Sequence, residues 1–104
     1  MQDRLDLAIA TDRGPLTVPW PARAALLTEL DLNENGHAVR DAIKAVGATR
    51  PVELKTRAHK AELIRVIDEW GAREGGRAGL PDGIFALRDA LEVDLVDAWR
   101  KDSF

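Results

Sequence analysis

The chain has 104 residues, 45% of them hydrophobic and 32% charged, with a net charge of −3. That composition predicts a single small globular domain over residues 1–104, of a size that folds without staples. There is no cysteine, which excludes disulfides, thiolate metal sites and cysteine nucleophiles, and the acidic balance argues against a general nucleic-acid binder.

No apolar run approaches the roughly 18 residues of a spanning helix, and no long apolar run follows Met1, so no membrane association is expected and the cytoplasm is the expected compartment. The charge is uneven: residues 1–39 sum to −3, 40–65 to +4 and 66–104 to −4. The middle third is the one basic segment, and alternating charge on solvated helix faces is the simplest account of it.

In "RLDLAIATDRGPLTVPW" the residues Leu5, Leu7 and Ile9 alternate with Asp6 and Ala8, a period of two. "TDRG" supplies a turn and "LTV" a return strand, which predicts a β-hairpin over about residues 4–19. Pro19 and Pro21 lack amide donors and end the sheet, and Pro21 suits the first turn of a helix.

"PARAALLTELDL" (21–32) predicts a short helix presenting Leu26, Leu27 and Leu30, broken by the turn formers of "DLNENG". In "GHAVRDAIKAVG" (36–47), Val39, Ala42, Ile43 and Val46 follow the i, i+3, i+4, i+7 pattern, and Gly47 stands where a left-handed cap would be. "RPVEL" (50–54) has room for a third, short strand. Thr56 is the expected N-cap of a helix that runs to about Trp70, with Leu63, Val66, Ile67 and Trp70 on one face.

"GAREGGRAGLPDG" (71–83) holds five glycines and a proline. It resembles a phosphate loop only superficially. It lacks both G-x-x-x-x-G-K-[ST] and G-x-G-x-x-G, and it follows a helix where those motifs follow a strand. A flexible connector is the expectation. Asp82 is placed to cap a last helix reaching about Arg100. The main stripe of that helix reads Ile84, Leu87, Leu91, Leu95 and Ala98. Phe85, Val93 and Val96 fall outside the stripe, with Trp99 on its flank.

The fold class that follows is α+β: an N-terminal hairpin, with that third short strand as an option, packed with about four helices. The expected core comprises Leu5, Leu7, Ile9, Leu26, Leu30, Val39, Ile43, Leu63, Ile67, Trp70, Leu87, Leu91 and Leu95.

Catalysis finds little footing in these residues. Ser103 is the single serine, and the acid pairs Asp89 with Glu92 and Asp94 with Asp97 look solvated. His59 with Glu62 and His37 with Asp41 are pairs one helical turn apart. Such pairs arise readily among eighteen acids, and His37 and Asp41 fall off the apolar face, so no metal or other cofactor is implied. His59 is read as a ring packed at the edge of the core.

The leading functional expectation is a small non-catalytic interaction module that self-associates as a homodimer or docks on a protein partner through Phe85, Val93, Val96 and Trp99. Large aromatic residues of this kind are enriched at interface centres. The alternative is an accessory protein that binds an anion or a nucleic-acid backbone through Arg50, Lys55, Arg57, His59 and Lys60, near a helix start whose amides favour negative charge. Nucleic acid is the less expected ligand, since no aromatics interleave these cations.

Overall fold

A computed structural model describes residues 5–46 and 50–102. The order of elements is a hairpin of β1 (Leu7–Thr11) and β2 (Gly14–Val18), then α1 (Trp20–Leu32), α2 (His37–Val46), α3 (Arg57–Arg73) and α4 (Ile84–Asp102), with short 3₁₀ turns at Glu34–Gly36 and Arg77–Gly79. This is the α+β class expected from the residue pattern.

The two strands pair antiparallel with Leu7 opposite Val18, Ile9 opposite Leu16 and Thr11 opposite Gly14. Asp12 and Arg13 form a two-residue loop, the register running unbroken to Thr11 and Gly14; both keep negative φ, and Gly14 supplies the positive one, at +109°. The alternation seen in the sequence has a direct consequence: Leu7, Ile9 and Val18 point inward and are almost completely buried.

The third strand reduces to one residue. Val52 forms an isolated parallel bridge to Ile9, donating its N–H to the Ala8 carbonyl and accepting from the Ala10 N–H, each at 2.8 Å. The segment is anchored as a strand would be but too briefly to extend the sheet. Val52 and Leu54 still reach the core.

α1 begins on Pro19 without a side-chain cap of its own. Asp6, from just before β1, instead accepts the Trp20 N–H at 2.9 Å, which satisfies one of the amides a helix start leaves open. After α1 the Asn33 side chain accepts the Asn35 N–H at 3.0 Å, and buried Gly36 presses against Leu30 so closely that a Cβ would lie 2.9 Å from the Leu30 carbonyl oxygen. The expected cap at Gly47 lies outside the described residues.

α3 starts as predicted: the Thr56 hydroxyl accepts the His59 N–H at 3.1 Å, and Leu63, Val66, Ile67 and Trp70 are buried. The helix runs three residues past Trp70, to Arg73.

α4 does not use Asp82 as its cap residue. The Leu87 N–H donates to the Gly83 carbonyl at 3.0 Å, so the helix is entered through Gly83, whose φ is +89° and where a Cβ would stand 2.9 Å from Val18 Cγ1. Glycine is demanded there twice, by backbone conformation and by the approach of β2.

The core joins the inner face of the hairpin to all four helices, through Leu26, Leu30, Val39, Ile43, Leu63, Ile67, Ile84, Leu87 and Leu91 among others. Of the residues expected inside, Leu5 and Leu95 are half-buried instead. Val18, Ala22, Val52 and Ile84 take part where the expected core had not placed them.

Candidate functional site

α4 carries Phe85, Val93, Val96 and Trp99, the residues expected to form an interface. Its buried positions are Ile84, Leu87, Leu91 and Asp94, steps of three and four that follow one helix face. The stripe expected to continue through Leu95 continues through an aspartate. Asp94 is only 2% exposed, a correction to its reading as a solvated acid. A carboxylate can sit there only if charge and hydrogen bonds replace its water.

Both replacements are present. Lys60 Nζ donates to Asp94 Oδ2 at 2.9 Å, and the backbone N–H of Asp12 reaches Oδ1 at 3.2 Å and Oδ2 at 3.3 Å. The Asp12 carboxylate stands 3.8 Å from the same ammonium. One side chain thus ties the hairpin turn, α3 and α4 together. Sequence reasoning missed this group, although the 84-87-91-94 spacing places Asp94 in register with the buried leucines.

Other ion pairs fasten α3 to α4 on either side of that tie. Arg57 pairs with Asp102 at one end, and Arg88 pairs with Asp68 at 2.9 Å towards the other. Hydrogen bonding and charge from Arg57 hold the Asp102 carboxyl below its ordinary range and raise the Arg57 guanidinium in return. Arg88, which also meets Asp89 and Glu92, is raised chiefly by its hydrogen bond to Asp68.

These pairs disperse the basic segment. Arg57 and Lys60 each have a carboxylate on α4, so their charge is turned inward along the helix pair. His59 is half-buried on the first turn of α3. Arg50 and Lys55 line a separate hollow that also takes in Ala42, Val46, Pro51, Val52 and Glu53.

His37 Nε2–H donates to the Asp31 carbonyl at 2.9 Å, closing the end of α1, and Asp41 pairs with Arg40. Among the described residues no group of three or more His, Asp or Glu side chains could hold a metal ion, and no helix is long and apolar enough to cross a membrane.

The four apolar residues outside the main stripe part company. Phe85 is half-buried beneath Arg77, whose guanidinium lies 4.3 Å from the ring centroid, a cation–π contact supplied by the chain itself. Val93 is half-buried, Val96 is 39% exposed and Trp99 is 69% exposed. Val93 and Val96 line an open groove of about 480 Å³ together with Asp89, Glu92, Asp97, Arg100 and, from the hairpin turn, Arg13.

No protein-family profile matches this sequence, and no curated protein or solved structure is significantly similar to it.

Proposed function

We propose that this protein is a small non-catalytic interaction module of the cytoplasm, and that the C-terminal half of α4 binds a protein partner or a second copy. The observation that carries the reading is the pairing of Val96, 39% exposed, with Trp99, 69% exposed, on successive turns of one helix beside the groove that Val93 and Val96 line with charged neighbours. A tryptophan and a valine held on a rigid element, ringed by acids and arginines, have the make-up of an interface core with its polar rim. Phe85, covered by Arg77, contributes less to this surface than the other three residues.

The anion-binding reading draws less support. Two of its cations, Arg57 and Lys60, already have carboxylate partners, and the two that flank a common hollow share it with Glu53.

A photoreactive benzophenone side chain in place of Trp99 tests the module in the full chain, with the same group at exposed Lys44 of α2 as control. Cross-links to protein should form at position 99, be weak at position 44, and be lost when Val96→Glu is added. Equal yields at both positions, or yields that Val96→Glu leaves unchanged, would contradict the reading.

A further inference from the structure

We infer that the partner of this face is a second copy of the same chain, with the two α4 helices antiparallel about a two-fold axis at Val96. This rests on the reading of α4 as an interaction surface and names what it binds.

The charge order along the helix carries the argument. Towards its start the groove-lining face bears Asp89 and Glu92, Asp97 follows Val96 at its middle, and towards its end it bears Arg100. Among the described residues neither Arg100 nor Arg13 forms an ion pair, whereas Glu92 pairs with Arg88 of its own chain. A parallel pairing would set Glu92 against Glu92 and Arg100 against Arg100.

An antiparallel pairing does the opposite. Glu92 and Arg100 lie four residues to either side of Val96, so each Glu92 comes level with Arg100 of the second copy. Trp99 and Val93 lie three residues to either side, so each indole comes level with the Val93 end of the opposing groove. A two-fold axis makes every such contact twice, and each new bridge extends the existing Arg88–Glu92 pair into a three-member network.

A seam from residue 89 to residue 100 spans about 17 Å of helix. Contacts of that extent fall at the small end of specific interfaces, so dissociation is expected at tens of micromolar.

Sedimentation equilibrium of the full chain up to roughly 200 micromolar tests the pairing. Wild type should pass from monomer to dimer. Glu92→Arg and Arg100→Glu should each weaken association by about tenfold or more through like-charge contact. An equimolar mixture of the two variants should associate as heterodimers, since one copy then carries arginine at both positions and the other glutamate. Recovery in the mixture also establishes that both variants are folded.

A wild type that stays monomeric throughout, or a mixture no tighter than its components, would overturn self-pairing. The broader interaction reading stands or falls separately, on the cross-linking at position 99.

Discussion

Asp94 is an acid in a position that the surrounding leucines define as core. Its carboxylate gains from Lys60 and from the Asp12 amide, and each of these groups is left exposed to a penalty if the acid is removed. Asp94→Ala strands the Lys60 ammonium, whose side chain is 16% exposed, and is expected to cost about 3 kcal/mol. Asp94→Leu combined with Lys60→Met removes charge and countercharge together and should recover at least half of that loss. Urea unfolding of the two variants checks this. A double variant no more stable than Asp94→Ala would mean that the Asp12 amide, and not the ammonium, is the partner that matters. The residue was hard to foresee because its partners are remote, 34 residues away for Lys60 and 82 for Asp12. The helical period marks the position as inward, but no local pattern reveals which distant groups make an inward carboxylate tolerable. The Thr56 cap, by contrast, depends on an amide three residues along and could be read directly.

At the scale of elements, the amphipathic faces of α2 and α3 were legible because each is organised around one buried stripe. α4 was only half legible, since its second half meets the hairpin turn as well as α3. Its start is fixed by Gly83. Gly83→Ala forces an L side chain into positive φ and towards Val18, with an expected loss of about 2 kcal/mol measured by chemical denaturation. A neutral effect would mean that β2 yields readily. The other end of α4 is held by Arg57 and Asp102, and there pH is the probe. Asp102 is depressed below its ordinary value of 3.8 in the folded chain, so its contribution is complete above that value and fades as pH falls through the lowered one. Both side chains are more than half exposed, which keeps the contribution small and sensitive to salt. Amide exchange in the last turn of α4, corrected for intrinsic rates, should quicken below about pH 4. Asp102→Asn should show the quicker exchange at neutral pH already, and identical profiles for the two proteins would contradict the link.

The sheet illustrates how a short element can be blunt by construction. Ala8 and Ala10 turn their backbone groups to Val52, so Ile9 bonds across to Leu16, and Pro15 and Thr17 face away from β1. Proline has no amide to offer on that side, which leaves Thr17 N–H as the outward donor of β2 between Gly14 and Val18. Edge-to-edge addition of another strand is correspondingly disfavoured. The strand at 50–54 was ambiguous in sequence for a related reason: one bridging residue satisfies the edge of β1 without needing the alternation that would announce a strand.

For the molecule as a whole, the hairpin and helices enclose one core within a body of 49 × 33 × 24 Å. The class and most of the interior followed from periodicity alone. The proposed interaction face did not, because whether Phe85, Val93, Val96 and Trp99 share one exposed surface depends on what the rest of the chain lays over each. Arg77 settles Phe85, and it comes from the glycine-rich connector, whose path periodicity does not specify. If the two copies join as inferred, Val96→Glu should abolish the dimer while leaving the melting temperature of the monomer nearly unchanged, since that side chain lies outside the core.

The bond from the Asp12 amide to Asp94 also orders events in time. During synthesis the hairpin emerges from the ribosome long before the acid that secures its tip. A growing chain stopped short of α4 holds strands whose inward side chains have no lid and whose turn has no anchor. This fold therefore closes only once α4 has formed and brought Asp94 to the tip of the hairpin.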